Sequence, residues 1–135
     1  MVSSWRRIAI DSSAWVAIRF KEPGYELLFE KVTRADTVLV SAPTVLEIAV
    51  VLTRRFLVDP RPSLTSDFQT YGVQVVPLNK RHADVAIHAF LRYGKGRHPA
   101  KLNFGDCLSY AIASLAGIPL LYTGDDFSKT DIEAA

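Results

Sequence analysis

Apolar residues are arranged along the chain in two alternating patterns. Short aliphatic runs end in polar or turn-forming residues, and between them apolar positions recur every three to four residues, so strands and amphipathic helices alternate. Residues 7–10 read as a short buried strand closed by Asp11-Ser12-Ser13, and residues 14–20 as a helix capped by Asp11 or a serine. Pro23-Gly24 breaks the chain before a second helix over 25–32, with Tyr25, Leu28, Phe29 and Val32 on one side. Residues 37–40 form a strand by β-branched content, and Ser41 opens a helix that tolerates Pro43 in its first turn and runs to Phe56. Residues 58–66, with Pro60 and Pro62, are irregular; Ser63 caps a short helix through Tyr71. A third strand over 73–78 leads into a helix from Asn79 or Lys80 that carries Val85, Ala86, Ala89, Phe90 and Tyr93. After a basic, glycine-containing linker over 94–101, Asn103 caps a helix with Leu108, Ala111, Ile112 and Leu115 on one stripe. Gly117 closes that helix and Pro119 prevents its continuation. Residues 120–123 are a fourth strand, and the tail over 129–135 adds a short edge strand.

Strands that alternate with helices predict a mostly parallel central sheet of four to five strands covered on both faces, an α/β/α sandwich. A chain of 135 residues suits one domain over 1–135 with a single core. In such folds ligands bind beyond the carboxyl ends of the strands, where Asp11, Asp125 and Asp126 fall.

The net charge of +2 permits a polyanionic partner without arguing for one. A single cysteine, Cys107, excludes an internal disulfide and a multi-cysteine zinc site, and its helical position predicts a buried small hydrophobe. The apolar run after Arg6 and Arg7 stops at Asp11, too soon for a signal-peptide core, and the strongest apolar run, over 48–52, is far below membrane-spanning length. A cytoplasmic protein without membrane association is the expectation.

The carboxylates carry the chemistry. Glu47 lies in a segment over 45–52 that is apolar nearly all round and so is expected to be mostly buried. A carboxylate there needs an explanation: an ion pair with an arginine such as Arg54 or Arg55, a narrow solvent-facing edge, or a function. Asp11 as an N-cap, Asp106 in a capping arrangement, and Asp125 and Asp126 as turn residues each have a local explanation. Jointly they can be placed around one edge of the sheet. Clustered carboxylates repel one another, so the cluster implies a cation, and all-oxygen ligands point to Mg²⁺ or Mn²⁺. Such an ion suits phosphodiester hydrolysis, since it activates a water and neutralises charge on the phosphate.

At these residues the chain resembles the PIN-domain ribonucleases and, within them, the VapC toxins of bacterial toxin–antitoxin pairs. The match runs from Ile8-Ala9-Ile10-Asp11-Ser12-Ser13 through Ser41-Ala42-Pro43-Thr44-Val45-Leu46-Glu47 and Asn103-Phe104-Gly105-Asp106 to Thr123-Gly124-Asp125-Asp126-Phe127. The resemblance implies a PIN-like fold and an acidic quartet that binds Mg²⁺ or Mn²⁺, with Asp11, Glu47 and Asp106 as three members. Asp125 matches the fourth by position, with Asp126 as second choice because Phe127 comes one residue early. The resemblance further implies an RNA substrate, transfer RNA being common among relatives, a homodimer, and inhibition by a cognate VapB-type antitoxin. Ser12 and Thr123 are expected to orient ligands through their hydroxyls.

His82, His88 and His98 lack metal-ligand spacing, and neither a nucleophile elbow nor a phosphate-cradling glycine loop is present. Arg92, Lys95, Arg97, His98 and Lys101 form a basic run that is either a solvated loop or a hold on RNA phosphates, with Gly94 and Gly96 giving it freedom to move. The helices over 25–32 and 42–56 carry more apolar surface than a small sheet covers; core comes first, then a dimer or antitoxin interface. Two other readings stand beside the nuclease. One is a catalytically inactive PIN-like scaffold. The other is a receiver-like phosphoacceptor, which requires an aspartate after a central strand where the third strand here runs into Pro77-Leu78-Asn79.

Overall fold

The computed structural model describes residues 7–135; Arg6 and the residues before it lie outside the described part. Four parallel strands form the sheet in the order β3-β2-β1-β4, with β1 at Arg7–Ile10, β2 at Thr37–Ser41, β3 at Val73–Val76 and β4 at Leu120–Leu121. Six helices connect or flank them: α1 (Ser12–Arg19), α2 (Tyr25–Arg34), α3 (Ala42–Phe56), α4 (Arg61–Tyr71), α5 (Lys80–Tyr93) and α6 (Phe104–Ala116).

Alternation along the strands decides the layers. Ile8, Ile10, Val38 and Val40 point to one face, where they pack with Trp15, Val32, Ile48, Leu52 and Leu64 of α1 to α4. Ala9 and Leu39 point to the other, where α5 and α6 supply Ala89, Tyr93, Tyr110, Ala111 and Ile112. Both faces are covered, as the continuous aliphatic strands require.

The chain order also fixes where ligands can enter. From β1 the chain moves outward through β2 to β3, then returns across the sheet to β4 on the far side of β1. The direction of winding therefore reverses between β1 and β4, and a crevice opens beyond their carboxyl ends. Asp11 directly follows β1, and the Thr123–Asp126 loop follows β4.

Helix starts follow the sequence closely. Asp11 caps α1 through Ser13 N (3.1 Å), Ser41 Oγ accepts from Thr44 N (3.0 Å), and Asn79 and Asn103 open α5 and α6 with capping boxes. Five expectations are corrected. Helix α4 starts at Arg61 rather than at a Ser63 cap; Ser63 Oγ donates to Pro60 O (3.1 Å), and Asp59 supports the start by accepting from Arg61 N (3.0 Å). Strand β3 ends at Val76, because Pro77 has no N–H to continue the ladder. Strand β4 is only two residues, and the tail adds a single bridge, Leu120 to Ala134, in place of a strand. Finally, α3 is not buried all round: Ile48 and Leu52 face the core, while Leu46 is 66% exposed. Among the described residues no helix is long and apolar enough to cross a membrane.

The two sides of α3 should respond differently to truncation. Ile48→Ala, at a fully buried position, is expected to cost about 3 kcal/mol. Leu46→Ala is expected to change stability by less than about 0.5 kcal/mol. Urea unfolding of both variants checks this.

Candidate active site

Asp11 is held from three directions. Its backbone N–H donates to Leu121 O (3.0 Å), which joins the end of β1 to β4. Its Oδ2 caps α1, and its Oδ1 accepts from Ser109 Oγ (2.6 Å) on α6. The side chain is buried, so both carboxylate oxygens keep fixed directions. The loop after β4 is tied in by a fourth bond, Thr123 N to Ser13 Oγ (3.1 Å). The hydroxyl that orients Asp11 is thus that of Ser109, while Ser13 Oγ holds the loop after β4. Ser12 and Thr123, expected in that role, make no side-chain hydrogen bond among the described residues. Ser109 was discernible as a lone polar residue between Leu108 and Tyr110 on an apolar helix, one turn after Asp106.

Asp106 sits in the first turn of α6, where its Oδ2 accepts from Asn103 N (3.0 Å) and Asn103 Oδ1 accepts from Asp106 N (2.9 Å). Burial pushes its carboxyl up to about 6; the Asn103 N–H pulls it down, and the charges of Asp11, Asp126 and Glu47 raise it further. That set of charges defines the site. Asp125, one residue earlier on the same loop, is not among them. Asp126 precedes a short 3-10 turn at Phe127–Lys129 but makes no capping bond with its side chain, which leaves its carboxylate uncommitted.

Glu47 reaches the cluster from α3. The expected burial of this residue is corrected: its side of α3 is open to solvent, and it forms no ion pair with Arg54 or Arg55. Its carboxylate instead lies over the first turn of α6. A Cβ on Gly105 would stand 2.6 Å from Glu47 Oε2 and 3.2 Å from its Cδ. Only a residue without a side chain allows this approach.

Four carboxylates therefore share one end of the sheet, and none pairs with a described cation. Among the described residues no three such groups close on a point as an all-protein cage would. The donors nevertheless fit a hydrated Mg²⁺ or Mn²⁺, since Mg²⁺ keeps several waters and takes only one or two carboxylates directly. They do not fit zinc, which prefers nitrogen and sulfur donors, because the four groups gathered here are all carboxylates. His82 Nδ1 belongs to the α5 capping box, and His98 Nδ1 accepts from Ala100 N (3.0 Å). Cys107 is buried, and burial followed by the Asp106 charge pushes its thiol up to about 11, so it is no nucleophile.

The PIN-domain profile matches residues 8–133. A VapC ribonuclease of Mycobacterium bovis is 40% identical over 127 residues, covering 93% of this chain and 97% of the relative. Ribonuclease VapC of Mycolicibacterium smegmatis is 42% identical over 127 residues, covering 94% and 98%. The chain belongs to the PIN-domain family of VapC ribonucleases. Its fold is also that of solved toxins. Mycobacterium tuberculosis VapC20, a sarcin–ricin-loop-cleaving toxin, superposes with a TM-score of 0.71 at 19% identity, covering 95% of this chain and 98% of that one. A toxin–antitoxin complex from Klebsiella pneumoniae gives 0.67 at 14% identity, with 92% of each chain covered. The receiver-like reading falls with these matches and with the topology: β3 is an edge strand.

In this PIN-domain chain the basic run forms a pinned loop. Lys95 N donates to Leu102 O (2.9 Å) and Leu102 N to Tyr93 O (3.0 Å), while Arg97 N and His98 N both donate to Gly94 O. Gly94 does not provide freedom here; it is needed because a Cβ would meet Phe90 O at 2.4 Å. Arg92 lies over the Tyr93 ring and 3.8 Å from Asp131. Lys95 and Lys101 are exposed and make no ion pair among the described residues.

Two outcomes follow from this geometry. Gly105→Ala should displace Glu47 and weaken Mg²⁺ binding by roughly tenfold in calorimetry, while leaving the melting temperature within about 2 °C. Asp106→Asn should stabilise the metal-free protein at pH 8. A carboxyl raised on folding binds its proton more tightly in the folded state, so its stabilising effect is present at low pH and is lost as pH rises through about 6. The variant should therefore melt on the order of 3 °C higher in chelator at pH 8, with the difference vanishing near pH 3.5. Melting curves across pH check the sign.

Proposed function

We propose that the protein is a metal-dependent endoribonuclease that hydrolyses RNA phosphodiester bonds as the toxin of a toxin–antitoxin pair, using Asp11, Glu47, Asp106 and Asp126. The observation that carries the reading is the raised carboxyl of Asp106 under three other carboxylates at the crevice between β1 and β4. Evolution of a fold does not gather unpaired like charges for stability, because each raises the cost of the others. They are gathered to hold a cation. Bound there, Mg²⁺ or Mn²⁺ supplies an activated water and charge neutralisation at the phosphate.

The chain's own groups divide the remaining work. Asp11, locked by Ser109 Oγ and Ser13 N–H, presents one fixed carboxylate. Asp106 presents its free Oδ1, while Oδ2 stays on the Asn103 N–H. Asp126 is preferred to Asp125 as the fourth acidic residue because its charge reaches Asp106. Glu47, exposed on α3, would orient the attacking water or complete the ion's shell. The exposed side chains of Lys95 and Lys101 would take phosphates of the strand.

The partner reading rests on the relatives. A VapB-type antitoxin is supported by the toxin–antitoxin complex of the Klebsiella pneumoniae neighbour. Transfer RNA as substrate and a homodimer as the assembly are part of the same proposal, carried over from the VapC family.

Incubation of the purified protein with total bacterial RNA tests the reading. Discrete fragments are expected in Mg²⁺ or Mn²⁺ and not in chelator, with Asp106→Asn slower by roughly 100-fold or more. Equal cleavage by the variant would sink the site assignment. Absence of cleavage by antitoxin-free protein would leave an inactive scaffold.

A further inference from the structure

We infer that Phe104 is a stacking platform for an unpaired nucleobase next to the scissile phosphate, an inference that rests on the nuclease reading and adds a substrate-positioning residue to it. Phe104 is the first residue of α6 and is 81% exposed, the most exposed aromatic side chain among the described residues. Scattered surface hydrophobes need no explanation. The location of this one does. It is followed by Gly105, over which Glu47 lies, and then by Asp106. It is preceded by Asn103 and Lys101, both exposed. In the chain Phe104 thus stands between the basic loop and the first-turn carboxylate of α6, at the exposed start of that helix.

The neighbouring backbone is constrained in a way that keeps the ring there. Asn103 and Asp106 exchange both capping bonds, which fixes the first turn of α6. Leu102 is fully buried and bonded to Tyr93 O, and Lys101 takes a left-handed conformation (φ 56°) that favours glycine. A side chain held at that conformation marks a segment whose shape is set by its surroundings. Phe104 therefore costs little conformational entropy on binding, because only its own ring has to be ordered.

RNA is the ligand chemistry that fits all three surfaces at once. Exposed Lys95 and Lys101 would take phosphates, the carboxylates would hold an ion that neutralises charge at the scissile phosphate, and a base needs a flat apolar partner. Base–aromatic stacking is sequence-tolerant and demands a base free of its helix. Phe104 would then favour unpaired over double-stranded RNA, without reading a particular base.

The test uses fluorescence anisotropy with the Asp106→Asn protein in Mg²⁺, in which cleavage is suppressed, and a labelled ten-nucleotide oligoadenylate as probe. Adding Phe104→Ala should weaken binding by roughly tenfold, and Phe104→Trp should restore it. An oligomer of the same length with abasic riboses should bind both proteins alike. In the Asp106-containing protein, Phe104→Ala should raise KM and leave kcat within about twofold. Oligoadenylate binding unchanged by Phe104→Ala would overturn the inference, as would an equal loss on the abasic oligomer. Cleavage of total RNA by the protein with Phe104 and Asp106 intact is scored separately, so a failure of stacking is distinguishable from a failure of the nuclease reading.

Discussion

Asp11 is where the architecture and the chemistry meet. It ends β1, caps α1, receives Ser109 from α6, and donates its own N–H to β4. Removing its carboxylate would take away the cap of α1 and the bond to α6 at the point where the winding of the sheet reverses, leaving only the backbone bond to β4. The buried charge is tolerable because both oxygens accept hydrogen bonds from donors that the fold has already fixed. The same bonds that make Asp11 a structural joint also give its carboxylate a constant direction toward the crevice.

Around that joint the site is built against electrostatic preference. Asp106 is half-buried beside three other carboxylates, and its capping bond offsets only part of the cost. Gly105 shows how closely the fold has brought them: any side chain there would collide with Glu47. In the proposed reading a cation completes a surface with this charge pattern, and exposed Lys95, Lys101 and Phe104 serve the rest of an RNA strand. The basic loop is held by its own backbone hydrogen bonds, so its lysines are presented rather than left to search.

Much of this was legible in the chain. The strand and helix order, the caps at Asp11, Ser41, Asn79 and Asn103, and the buried role of Cys107 follow from local patterns and are present in the fold. The membership of Asp11, Glu47 and Asp106 in one cluster followed from resemblance, and the charges acting on Asp106 support it. The misreadings have local causes. The apolar segment around Glu47 reads as buried because periodicity cannot tell a core face from a solvent-exposed apolar face such as that of Leu46. Gly94 reads as a hinge because sequence does not show Phe90 pressed against it.

The sequence by itself determined the elements, because capping, turn chemistry and apolar spacing act within a few residues of one another. It also determined the chemical type of the site, since only carboxylates were available in the right order. The tertiary structure alone decided which groups meet: Ser109 with Asp11 across 98 positions, Glu47 with Gly105 between two helices, and Asp126 near enough for its charge to act on Asp106. Those encounters depend on the strand order and on the direction of one loop after β4. A charge acts through distance in space, which adjacency along the chain does not specify.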